Sequence, residues 1–150
     1  MKGRFIPKHP EKYLGNVNKI MFRSSWELRF LQWLDSTAAV KRWGSEEISI
    51  PYLHPFDMKV RNYFPDIVVL YTHKDGSLRK EIIEIKPHKE TVATPKMTER
   101  DATALRVNKA KWIAAAEYAS KNGATFRVVT EKTLFKGTAP RQAPQIGRAV

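Results

Sequence analysis

Cysteine is absent from this chain, which excludes a disulfide framework, a thiolate-ligated metal and a cysteine nucleophile, and fits a reducing compartment. Long apolar runs are missing as well. No stretch approaches the roughly 18 residues that a membrane-spanning helix needs, and no signal-like apolar segment is present. The reading is therefore a soluble, unexported protein with no membrane partner. Acid is scarce: 15 Asp and Glu stand against 27 Lys and Arg, a net charge of +12. Such a balance suits a polyanion, and nucleic acid is the commonest one. An RNA-binding module is the weaker form of that reading, because no aromatic ribonucleoprotein motif is evident.

The 150 residues are enough for one domain with its own core. Residues 1–20 mix Pro7, Pro10, Gly3 and Gly15 with Lys2, Arg4, Lys8 and Lys12 and hold no sustained period, which predicts an irregular basic arm. In "RSSWELRFLQWLD" the residues Trp26, Phe30, Leu31, Trp33 and Leu34 recur at helical spacing, and Ser24 followed by Glu27 has the form of a capping box. "EEISIPYL" alternates Ile48, Ile50 and Tyr52 as a strand does. Two more strands are expected at about 66–71 and 79–86, joined around Asp75-Gly76. A polar loop follows over 87–101. A helix over about 102–121 carries Leu105, Trp112, Ala116 and Ala119 on one face, Gly123 ends it, and "TFRVVT" is a last strand. Residues 136–150, with three basic residues and no acid, are expected to form a disordered basic tail. The element order predicts an α/β fold, a mixed sheet covered by helices, over 21–135.

The hairpin poses the functional question. "NYFPDIVVLYTHKDGSLRKEIIEIKPH" carries Asp66 at the start of its first apolar run and Glu84, Ile85 and Lys86 at the end of its second. Period two places Glu84 and Lys86 on one face. A two-residue loop of Asp75-Gly76 sets Asp66 against Ile85 and turns it to the opposite face. A three-residue loop of Lys74-Asp75-Gly76 sets Asp66 against Glu84, on the same face, with Gly76 at the left-handed position that such turns favour. Turn chemistry permits the second arrangement without demanding it. Two carboxylates about 4 Å apart repel by about 4 kcal/mol at an effective dielectric near 20, so a cluster of them calls for a cation, and hard oxygen ligands suit Mg²⁺ or Mn²⁺. Carboxylate-held metal, a nearby lysine and a basic surface are equipment for phosphodiester hydrolysis.

Pro65-Asp66, seventeen intervening residues and Glu84-Ile85-Lys86 resemble the motif of the PD-(D/E)XK nucleases. With "RSSWE" on the preceding helix and "KWIAAAEYASKNGATFRVVTE" after the hairpin, residues 20–135 resemble the head-completion nucleases of T-even-type phages and the TnsA-type transposon endonuclease subunits. In the TnsA-type motif the position of Glu84 can be a glutamine, whereas here it is the full acid. The resemblance implies a restriction-endonuclease-like fold and a Mg²⁺-dependent endonuclease acting on double-stranded DNA as a phage head is completed. It also implies metal held by Glu27, Asp66, Glu84 and the Ile85 carbonyl, with Lys86 orienting water or stabilising the transition state. A portal or other head-completion protein as partner, and the host cytoplasm or the virion as location, come from the same resemblance. A non-catalytic basic protein that binds DNA or a portal is the alternative.

Blander roles stay open for several of these residues. Glu27 can serve only as the capping partner of Ser24. Arg23, Ser24 and Ser25 near a helix start can contact phosphate or simply cap the helix. Lys109 and Lys111 can track a DNA backbone or form a solvated helix face. The four tryptophans read as core or half-core.

Overall fold

The computed structural model describes residues 2–134; the tail expected over 136–150 lies outside them. The order of elements is β1 (Gly3–Arg4), β2 (Met21–Phe22), α1 (Ser25–Ser36), β3 (Val40–Ser45), β4 (Ile50–Leu53), β5 (Val60–Tyr63), β6 (Ile67–Thr72), β7 (Leu78–Ile85), α2 (Glu99–Lys121), β8 (Thr125–Val129) and α3 (Glu131–Leu134). The main sheet runs β3-β6-β7-β8, antiparallel except for the parallel β7–β8 pair, so the sheet is mixed as expected. Two further ribbons, β1–β2 and β4–β5, are antiparallel pairs.

Strand alternation divides the side chains between two cores. Ile67, Val69, Tyr71, Ile83 and Val129 pack with Phe30, Leu31 and Leu34 of α1 and the fully buried Trp43. Ile82 lies with Ile50, Tyr52 and Tyr63 of the β4–β5 ribbon and with Ala115 and Ala119 of α2. Leu105, Ala115 and Ala119 are the buried residues of α2; Ala116, expected on that face, is exposed. The helix also begins at Glu99, three residues before the expected start, because Thr98 accepts a hydrogen bond from Asp101 N at 3.1 Å and caps a polar first turn.

Two strands carry too weak a pattern to be expected. In β3 the pair Lys41-Arg42 is exposed between buried Val40 and Trp43, where the pairing with β6 shifts register, so the alternation is broken by a bulge. In β5 only Tyr63 is buried.

The first twenty residues are not an appended arm. They are irregular, with short 3₁₀ turns, but Phe5, Tyr13 and Ile20 are buried in the α1-side core. Buried Asp35 near the end of α1 accepts hydrogen bonds from Lys8 N and His9 N at 2.8 and 3.1 Å. Lys12 Nζ donates to the carbonyls of Asp35 and Thr37, both at 2.9 Å, meeting the negative end of the helix. Anchors spaced this widely leave no period to read, and the division at residue 20 corresponds to no packing boundary.

The β6–β7 hairpin settles the register question. Ile67 pairs with Ile83 and Thr72 with Leu78, His73 N donates to Ser77 O at 2.8 Å, and Gly76 N donates to His73 O at 2.9 Å. The loop is therefore Lys74-Asp75-Gly76, and Gly76 has φ +85°. In the β4–β5 turn a less permissive residue adopts the same conformation: Met58 has φ +59°, which costs a non-glycine residue about 1–2 kcal/mol.

Candidate active site

One step beyond Ile67–Ile83, the register sets Asp66 against Glu84, and the two project from the same face of the sheet. The next step sets Ile85 against Pro65, which has no N–H to return to the ladder. Beside it, Ile85 N donates to the Asp66 side chain, at 2.7 Å from Oδ2. Asp66 is fixed at the strand entrance from its backbone as well, since its carbonyl accepts from Glu46 N at 3.0 Å.

Glu84 is buried and lies between three neighbours. Tyr63 O–H donates to its Oε1 at 2.5 Å, and Lys86 Nζ stands 3.6 Å from its Oε2. Lys111 of α2 acts on it through space as a further positive charge. The Lys111 ammonium lies 5.8 Å from the ring centre of Tyr52 and 5.7 Å from that of Tyr63, a cation held over two aromatic faces.

The electrostatics follow from this crowding. Asp66 is raised to about 8, first by loss of water and then by the charge of Glu84, with the Ile85 N–H acting in the opposite direction. Glu84 is also raised by burial, against the lowering effects of Tyr63, Lys86 and Lys111. Glu27 is raised by burial, and Glu46 and Glu84 add to the rise while Arg23 opposes it. Two adjacent buried carboxyls, both raised above the ordinary carboxylate range, form a locus where positive charge is under-supplied.

The N-terminus of α1 approaches the same place. Ser24 Oγ accepts from Glu27 N at 3.1 Å, and Glu27 Oε1 accepts from Arg23 N at 2.8 Å, one residue ahead of the usual capping-box partner. Glu27 is thus occupied as a cap, and among the described residues no three His, Asp or Glu side chains converge as a ready metal cage. Arg23 is bonded bidentately to Glu46 at 2.8 and 3.2 Å. Ser25, in the first turn, is exposed.

The remaining expected residues separate. Lys109 is exposed, and two residues along a helix differ by about 200° in direction, so it does not share a face with Lys111. Asp66, Glu84 and Lys86 come together as expected, with Glu27 near them. Ile85 contributes its amide. Tyr63 was missed because its strand has no alternation to mark it, and the position of Lys111 beside Glu84 depends on how α2 docks on the ribbon.

The family model for the TnsA-like endonuclease N-terminal domain matches residues 37–131. The chain belongs to this family. The match contains Asp66, Glu84, Lys86, Tyr63 and Lys111 and begins after Glu27. A protein called "Head completion nuclease", from Enterobacteria phage T4, is 40% identical over 149 residues, spanning 90% of this chain and 97% of the relative. No solved structure matches the chain. The mixed sheet with its flanking helices is restriction-endonuclease-like, and as a member of an endonuclease family the chain is a nuclease.

Proposed function

We propose that this nuclease is a divalent-metal-dependent endonuclease that cuts double-stranded DNA, acting as a phage head is completed. The observation that carries the reading is the pair of adjacent, desolvated carboxyls, Asp66 and Glu84, with the Lys86 ammonium 3.6 Å from Glu84. The head-completion setting is taken from the T4 relative's name.

The donor set fits a hard cation, because Asp66 and Glu84 are adjacent, desolvated oxygen ligands that resist ionising together until positive charge is supplied. Asp66 and Glu84 would hold the ion. Glu27 would join them after releasing Arg23 N, and the Ile85 carbonyl is the remaining candidate ligand. When bound, Mg²⁺ or Mn²⁺ supplies Lewis acidity toward the phosphate and neutralises charge.

The chain's own residues do the positioning. Tyr63 O–H and Ile85 N–H each fix one carboxylate, so their oxygens are oriented before substrate arrives. Lys86 offers an ammonium for negative charge developing on the phosphate, and Lys111 adds to the positive potential around Glu84. The remaining basic surface draws in the polyanion.

Incubation of supercoiled plasmid with the chain and Mg²⁺ is expected to give nicked or linear product, with none in EDTA. Plasmid binding without cleavage in any divalent metal would make the chain a non-catalytic DNA-binding protein instead.

A further inference from the structure

The β4–β5 ribbon carries features that the carboxylate site does not use. Its inner face is docked: Tyr52 and Tyr63 are buried in the α2-side core, and Tyr63 is bonded to Glu84. Its outer face is apolar and open, with the directly paired Leu53 and Val60 at 50% and 71% exposure. The turn adds Phe56 and Met58, at 47% and 64%.

That turn is rigid. His54 N donates to Lys59 O and Met58 N to His54 O, both at 2.9 Å, and Asp57 Oδ1 accepts from Lys59 N at 2.9 Å. Met58 occupies the left-handed position where glycine would be unstrained, yet its side chain is exposed. A strained, outward methionine contributes little to this fold, and the half-exposed Phe56 beside it meets only Arg106 and His54 at its ring among the described residues, which points to a contact outside the fold.

Charge identifies the partner. Asp57 is the only acid between residues 50 and 63, and it is paired with Arg61. Lys59 and Arg61 lie on the ribbon, and the Arg106 guanidinium of α2 sits 4.9 Å from the centre of the Phe56 ring. β5 then leads through Phe64-Pro65 directly into Asp66. An apolar tip fringed by cations and covalently continuous with the acid site fits duplex DNA, whose grooves admit two-stranded ribbons and whose base steps accept apolar wedges.

Resting on the nuclease reading, we propose that the β4–β5 ribbon lies in a groove of the substrate duplex and that Phe56 and Met58 wedge into a base step, holding the strand over Asp66 and Glu84.

The test uses the full chain with short duplexes carrying 2-aminopurine at successive positions, recorded in EDTA so that no cleavage is required. Emission should rise at one step, at a fixed offset from the bond cut when Mg²⁺ is added. The double variant Phe56→Ser, Met58→Gly, checked as folded by its melting temperature, should lose the rise and bind duplex about tenfold more weakly. A wild-type chain that unstacks no step, or a variant with the same emission pattern and affinity, overturns the proposal. So does a variant that changes only self-association in sedimentation, which would make the tip a protein contact. Failure of the nuclease reading is seen separately, as wild-type chain that never cuts plasmid in divalent metal.

Discussion

Asp66 accepts a 2.7 Å hydrogen bond from the backbone N–H of Ile85, on the neighbouring strand. The bond forms at the end of the β6–β7 ladder, so one carboxylate both extends the strand pairing and stands beside Glu84. Strand register and site assembly are one event in this fold.

Asp66→Asn and Glu84→Gln are expected to abolish metal-dependent nicking while the metal-free melting temperature stays level or rises, because each removes a desolvated acid from a crowded pair. Plasmid nicking and thermal unfolding on the same samples check this. Full activity in either variant removes that residue from the site.

Stability should depend on pH in a direction set by the same pair. A carboxyl raised from 3.8 to about 8 is more protonated folded than unfolded between those values, so the metal-free chain loses stability as pH rises through that window. Mg²⁺ should restore stability at the upper end. Melting curves from pH 5 to 8, with EDTA or Mg²⁺, read the slope. Asp66→Asn should flatten it.

Lys86→Ala should lower kcat by about two orders of magnitude or more and leave duplex affinity nearly unchanged, since the other cations carry binding. Lys111→Ala should have a smaller effect of about tenfold on rate, because it acts on Glu84 only through space. Single-turnover cleavage and filter binding separate rate from affinity. A parallel fall in both would make Lys86 a phosphate anchor.

Tyr63→Phe removes the donor to a buried carboxylate and keeps the ring under Lys111. A cost of about 1–3 kcal/mol in metal-free stability is expected. Calorimetric titration should show an altered Mg²⁺ affinity. An unchanged stability would mean that Glu84 takes its order from Lys86 alone.

Gly76→Val tests the turn. A Cβ there meets nothing within 4 Å, so the penalty is purely that of φ +85°, and a loss of about 1–2 kcal/mol in chemical denaturation is expected. Gly76→Asn should cost less, because asparagine tolerates the left-handed region. Equal stability of all three would show that the turn does not hold the register.

Local pattern was enough for a large part of this molecule. The aromatic spacing of α1, the alternation through Val69 and Ile83, and the Lys74-Asp75-Gly76 loop are legible because burial and turn chemistry act on neighbouring residues. From them the chain by itself determined the hairpin and the shared face of Glu84 and Lys86, while the register that sets Asp66 beside them, which the turn permitted, was fixed in the folded sheet. Tertiary structure alone decided what surrounds that pair. Tyr63 reaches Glu84 from a ribbon with no readable period, and Lys111 faces it because α2 lies across that ribbon. Phe5, Tyr13 and Ile20 enter the core from an irregular segment, and Glu27 is held by Arg23 N at the helix start. These contacts join residues distant in sequence or depend on which of several local partners wins. Their free energy comes from burial and charge that exist only after the layers have packed.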